Sequence, residues 1–269
     1  MTTSSGKTDT VEATRAPFIE HLRELRTRVI VCMVAVGVGI GVTWTWVEEI
    51  FFFLLRPLRT AAASPDLAQM HHRNLTEPFY VLMKTALFAG IILAIPVILW
   101  QIWGFIGPGL YPKERRMAIP MVTLATLFFI GGAAFAYYFV LPFGYEFLLK
   151  FGEDVSTPEL MMQEYLTLTT KLLLAFGAIF QMPIISTVLA RIGLINGKMM
   201  LAFWKYALVI CFVVGALLTP PDIISQVLLA GPMMGLYAIS VVCAFIFGKR
   251  AAAPDEALVE ASVDTPEAD

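Results

Sequence analysis

Residues 29–47 run for 19 positions without a charged side chain. As a helix this stretch is about 28 Å long, close to the hydrocarbon thickness of a bilayer. Five more apolar segments follow, over residues 79–105, 117–141, about 160–190, 203–218 and 226–247. Only 15% of the residues are charged, where soluble domains carry about 25%, so too few remain to coat a water-facing surface. Hydrocarbon offers no partner to a free backbone group, so segments of this kind cross it as helices. The expected fold is an all-α, polytopic membrane protein with six transmembrane helices, the last two short. The fifth has 16 residues, and both lie close to the turn "TPPD" at 219–222.

Local signals refine the layout. Pro96 and Pro183 fall inside spans and are expected to kink them, since proline removes one backbone bond and crowds the preceding turn. Thr157 and Pro158, in "STPELMMQEY", suit the cap and first position of the fourth span. Gly37 and Gly41 have the spacing that permits close helix contact. Residues 1–16, rich in Thr and Ser, read as a disordered tail. Residues 250–269, with six acids after position 250 and no base there, read as a second. The six-span domain is then 17–249. No cleavable signal peptide is expected, because the first apolar run is long enough to span and no small-residue cleavage site follows it.

The bases set the orientation. With the N-terminus in the cytoplasm, 13 of the 19 Lys and Arg fall on the inner side, as the positive-inside rule requires. Both termini are then cytoplasmic. Residues 48–78 become an outer loop holding Arg56-Pro57 and His71-His72. In the second outer loop, residues 142–159, Phe143, Phe147 and Phe151 recur every four positions. That stripe fits either a short helix on the membrane face or packing against neighbouring helices.

Enzyme chemistry finds no foothold. The three histidines include an adjacent pair and have no metal-ligand spacing, and no Ser or Cys comes with a His and an acid at intramembrane depth. No glycine-rich phosphate loop precedes a helix. Cys32, Cys211 and Cys243 lie in apolar runs and make no disulfide framework. A small-solute permease or channel is the alternative class. Permeases place ionisable groups at the midplane and often show two related halves. Here the spans are nearly bare of charge and no internal repeat is visible. Gln181 is the main deeply placed polar group, and a lone Gln suits interhelical hydrogen bonding.

The charged information is concentrated in two clusters. "FIEHLRELRTRVI" at 18–30 places Glu20 and Glu24 among three arginines and a histidine, and "LYPKERR" at 110–116 encloses Glu114 between Lys113 and Arg115-Arg116. In one reading Glu24 pairs with Arg28 four residues on, and Glu114 with its neighbours. In the other, the recurring acid is a receptor for a cationic ligand. Arginine fits best, because its planar fork binds a carboxylate bidentately.

"HLRELRTR", "QIWGFIGPGLYPKERR" and "GALLTPPDIISQVLLAGPM", in that order, resemble the motifs of TatC, the multispanning core subunit of the twin-arginine translocase. The resemblance covers about residues 17–249. It implies a non-enzymatic receptor in the bacterial cytoplasmic (inner) membrane, binding twin-arginine signal peptides of folded cargo. It implies TatA- and TatB-type single-span partners, self-association and contact with lipid, with no nucleic acid, metal or cofactor. The family's signal-peptide glutamates fall on Glu24 and Glu114, with Arg26, Phe105, Leu110 and Tyr111 around them. Pro57, Asp222 and Gln226 match positions tied to partners or translocation. Some relatives carry a glutamate where this chain has Gln181, which cannot titrate.

Overall fold

Apolar runs that must satisfy every backbone group internally have become helices throughout. The computed structural model describes residues 8–62, 70–106, 118–151, 160–219 and 222–248. The readings of residues 250–269 as a tail and of Thr157 and Pro158 as a helix start lie outside these. In chain order the elements are α1 (Thr8–Thr43), a 3-10 turn (Trp44–Trp46), α2 (Val47–Ala61), β1 (Met70–His71) and α3 (Glu77–Ile106). After these come α4 (Ala118–Phe135), a π-helical turn (Ala136–Val140), α5 (Leu141–Phe151) and β2 (Leu160–Met161). The rest is α6 (Met162–Ile179), α7 (Met182–Ile192), α8 (Gly197–Ala202), α9 (Trp204–Leu218) and α10 (Ile223–Phe247). Five stretches are long and apolar enough to cross a membrane, and α9 is a shorter apolar helix. The chain is a multi-pass membrane protein.

Its contacts divide into two compact units, one ending at Gly177 and one beginning at Ala178. In the first, α1 packs along α3, and the crossing point is made by two glycines. A Cβ on Gly39 would lie 2.5 Å from the Gly90 carbonyl oxygen, and one on Gly90 would lie 2.7 Å from the Ile40 nitrogen. One turn on, the buried Thr43 hydroxyl donates to Gly39 O at 2.9 Å and lies 3.2 Å from Ala86 O on α3. The spacing Gly37–Gly41 therefore points to the wrong face. A Cβ at either of those positions would have no neighbour within 4 Å.

Several boundaries differ from expectation for identifiable reasons. α1 begins at Thr8, inside the segment assigned to a disordered tail, because a helix propagates cheaply once nucleated. Residues 47–61 form α2 rather than a loop. Val47, Phe51, Leu54, Leu55 and Leu58 are buried at helical spacing, and Pro57 sits in its last turns, where it costs little continuity. The fourth span begins at Met162, since residues 160 and 161 pair in parallel with 70 and 71. α3 stays continuous through Pro96, whereas the chain breaks before Pro183, between α6 and α7. α4 does not stop near Leu141 but runs on through the π turn into α5. Pro142 has no N–H to offer the preceding turn, which widens there. On α5, Leu141 and Tyr145 are buried, while Phe143 is exposed and Phe147 half-buried, so the aromatic stripe lies toward the surface.

In the second unit α10 packs on α7 and α9. Gly193, at φ 87°, ends α7 in the left-handed conformation that glycine adopts without strain. Asn196 caps α8, its side chain accepting from Met199 N at 2.7 Å. α9 is short, with 15 residues, as expected. α10 is not: it has 25 residues, because Asp222 caps it and Ile223 to Ser225 already belong to it.

The glycine crossing gives a contrast. Gly39→Ala places a methyl group against backbone that cannot turn aside, and the cost is about 1–3 kcal/mol of stability. Gly37→Ala meets open space and is expected to be neutral or slightly stabilising. Thermal unfolding of both variants in the same detergent reads the difference; equal melting temperatures would deny the crossing its part in stability.

Candidate functional site

The acids and bases of residues 20–28 lie on the last polar turns of α1 before its apolar run, at the end of α3 that carries Gln101 to Phe105. Glu24 is half-exposed, and Arg28, one turn along, bridges the two helices. Arg28 Nε and Nη2 donate to Glu24 Oε1 at 3.0 and 2.6 Å. Nη1 donates to the backbone oxygen and to Oε1 of Gln101, both at 3.3 Å, and Nη2 to Gly104 O at 2.9 Å. A guanidinium has five N–H donors, and these bonds use them all.

Local chemistry explains the arrangement. Gly104 lies in the last turn of α3, where carbonyls lack an intrahelical partner, so Arg28 caps that helix from its neighbour. A Cβ at position 104 would meet the Arg28 guanidinium, so a side chain there would push the arginine from this place. Beside it His21 stacks on Phe105, ring centroids 4.4 Å apart and planes 21° from parallel. Arg26 is exposed on the same turn of α1. The result is a surface at which Glu24 offers a carboxylate and Phe105 and His21 an aromatic shelf, while Arg26, two residues from Glu24, projects from another side of α1.

Of the residues singled out in the sequence, Glu24 and Phe105 are thus gathered at one place, and Arg26 is exposed on another side of α1. Glu114, Leu110 and Tyr111 lie outside the described residues. The pairing of Glu24 with Arg28 is present, so the local alternative for that acid is real. Sequence reasoning passed over Gln101, Gly104 and His21. A polar Gln late in an apolar run, followed three residues on by Gly, was the available signal.

Pro57 lies elsewhere in the same unit, buried on α2. With no N–H, it cannot answer the carbonyl of Phe53 four residues back. The Tyr137 hydroxyl does so instead, donating to Phe53 O at 2.7 Å, while the two rings stack 4.6 Å apart at 6°. The next carbonyl, Leu54 O, accepts from the buried Tyr165 hydroxyl at 2.6 Å. Tyr165 packs against Tyr145, whose hydroxyl is 2.7 Å from Thr169 Oγ1. Close by, the buried Glu77 accepts from Arg73 N at 2.7 Å and Gln163 N at 3.1 Å, fixing the β1–β2 pair. The proline's place is therefore a helix whose freed carbonyls are answered by α6 and by the π turn after α4.

In the second unit Gln181 is buried at the break before α7, its carbonyl accepting from Ile184 N and Ile185 N. Asp222 caps α10, Oδ2 accepting from Ser225 N at 2.6 Å. Gln226 Nε2 donates to Phe212 O at 2.9 Å, which ties α10 to α9. Gln226 also edges a groove of about 380 Å³ along α9, lined otherwise by apolar side chains such as Val209, Phe212 and Leu217.

The whole arrangement has known counterparts. The family model described as Sec-independent protein translocase protein (TatC) matches residues 20–232. The chain is 40% identical to the Sec-independent protein translocase protein TatC of Desulforapulum autotrophicum over 251 residues, covering 93% of this chain and 92% of that one. It is likewise 40% identical to the TatC of Aquifex aeolicus over 227 residues, covering 84% and 93%. Among solved structures, a twin-arginine translocase receptor TatC superposes with a TM-score of 0.75 at 39% identity, over 83% of this chain and 97% of that chain.

Pro57 and Tyr137 form a testable couple. Tyr137→Phe leaves the Phe53 carbonyl without its donor and is expected to cost about 1–3 kcal/mol. Pro57→Ala restores the backbone N–H, so in that background Tyr137→Phe should cost about 1 kcal/mol less. Additive effects in the double-mutant cycle, measured by thermal unfolding, would deny the link.

Proposed function

The chain belongs to the TatC family of Sec-independent protein translocase proteins, and from that premise we propose that it is the receptor that binds twin-arginine signal peptides. It is a transport component, and in this reading not an enzyme. The observation that carries the reading is the Glu24 carboxylate, held half-exposed where α1 meets the end of α3. Glu114, on the connection that follows α3, supplies the second carboxylate. Phe105, Leu110 and Tyr111 complete the surface, the aromatics offering a face on which an arginine side chain stacks, and Arg26 contributes from another side of α1. The distribution of the bases along the sequence supports a cytoplasmic position for this site and for both termini at the inner membrane. TatA- and TatB-type single-span subunits and further copies of this chain assemble around the loaded receptor. Pro57, Gln181, Asp222 and Gln226 act in that assembly. A small-solute permease has no comparable observation in its favour.

The direct test is binding of a labelled signal peptide to the purified protein in lipid nanodiscs. The twin-arginine peptide should bind, and its twin-lysine version should not. Glu24→Ala and Glu114→Ala should each weaken binding about ten- to hundred-fold, as loss of a charge-assisted hydrogen bond does. A double variant that binds and exports normally would end the proposal.

α9 supports a second expectation. Its 15 residues span about 22 Å, short of a hydrocarbon core of about 30 Å. A short span is met by local bilayer thinning, which would ease passage of a folded cargo. Inserting three or four leucines into α9 should impair export while leaving signal-peptide binding intact. Normal export by the lengthened protein would deprive the short helix of any part in translocation.

A further inference from the structure

The guanidinium of Arg28 sits in a set of acceptors that is complete. Glu24 Oε1, the backbone and side-chain oxygens of Gln101 and the Gly104 carbonyl take all five of its N–H groups. This is a built site for an arginine side chain, cleared of a Cβ at Gly104, and the chain fills it with its own arginine. We propose that Arg28 is an internal pseudo-ligand of the receptor: it holds Glu24 in the peptide-free protein, and a signal-peptide arginine binds by taking its place on that carboxylate. The inference rests on the reading of Glu24 as a receptor for a peptide arginine.

Three observations support an exchange rather than simple addition. Arg28 directs both of its bonds at one oxygen, Oε1. A bidentate arginine needs both oxygens of the carboxylate, so the incoming fork cannot seat until Arg28 lets go. The pair is also electrically neutral as it stands, so Glu24 attracts a cation weakly while Arg28 remains on it. Finally, Arg28 has somewhere to stay. Its bonds to Gln101 and Gly104 do not involve Glu24, and its side chain is 23% exposed, against 36% for Glu24. Release of the carboxylate therefore leaves the α1–α3 tie in place.

The exchange also accounts for a preference for arginine over lysine. One guanidinium replaces another on the carboxylate with little change in the number of charge-assisted bonds. Lysine brings three donors on a point charge and no planar fork, so it does not recover what Arg28 gives up. Specificity then arises from competition with an internal arginine as well as from direct fit.

Arg28→Gln, which removes the charge and keeps a polar side chain, tests this in the full chain in nanodiscs. The variant is expected to bind the twin-arginine peptide about ten-fold more tightly than the parent protein and to discriminate less against the twin-lysine peptide. Equal or weaker binding by a variant with an unchanged melting temperature overturns the exchange. A second measurement uses the unaltered sequence and does not depend on the variant folding. With ¹⁵N-arginine labelling, the Arg28 Nε–H resonance should move toward free arginine, and its solvent exchange should quicken, when saturating peptide is added. An unmoved resonance at saturation overturns the proposal. If the parent protein prefers arginine and either measurement fails, the exchange alone is wrong. If the parent protein shows no preference for twin arginine, the receptor reading falls and the exchange with it.

Discussion

The whole structure is shaped by one constraint: inside a bilayer, a backbone carbonyl that loses its helical partner has to find another within the protein. Helices alone meet this demand along their middles but not at prolines and ends. Those are the points where specific side chains appear. Tyr137 and Tyr165 answer the carbonyls opened by Pro57, Arg28 answers the end of α3, and Asp222 answers an amide at the start of α10. The two tyrosines and the arginine each join two elements, so the same bonds that satisfy the backbone also fix the tertiary arrangement. Lipid supplies little driving force for helices to associate, and such ties carry correspondingly more of the specificity.

The glycine crossing has consequences beyond its own position. Because Gly39 and Gly90 let α1 and α3 approach backbone to backbone, the two helices remain in register along their lengths. At one end of that register the Thr43 hydroxyl reaches α3; at the other, Arg28 reaches Gln101 and Gly104. A widened crossing would pull the Arg28 guanidinium from those carbonyls and leave Glu24 with an unanchored partner. The candidate site is thus held by packing some three turns away from it.

Much of this was legible in the sequence, and the failures follow a pattern. The six apolar runs, the break near Pro183 and the short α9 depend on local composition and were readable. The Glu24–Arg28 pair was readable too, being one helical turn apart. What the sequence could not supply were contacts between distant segments. The bonds from Arg28 to residues 101 and 104, and from Tyr137 to Phe53, join positions more than seventy apart. The glycine spacing misled for the same reason: a pattern on one helix says nothing of which face meets another. α2 is the exception, because its buried positions 47, 51, 54, 55 and 58 carry the helical period in plain view. Arg56-Pro57 drew the reading toward a loop there, although proline near the end of a helix is tolerated when something else takes up the freed carbonyl.

If one arginine is exchanged for another on Glu24, that step by itself contributes little net affinity, because the bonds formed resemble the bonds given up. The binding energy has to come from what the peptide adds rather than from what it replaces. Two additions are available: a second arginine, which needs a carboxylate not already neutralised, and apolar contact with the Phe105–His21 shelf. A single acid on α1 cannot serve both arginines of a consecutive pair once its own oxygens are occupied. The requirement for a second acid follows from the geometry at Glu24. In the proposed receptor, that second acid is Glu114. A receptor built this way responds weakly to one arginine and strongly to two, since only the second brings uncompensated charge to the site.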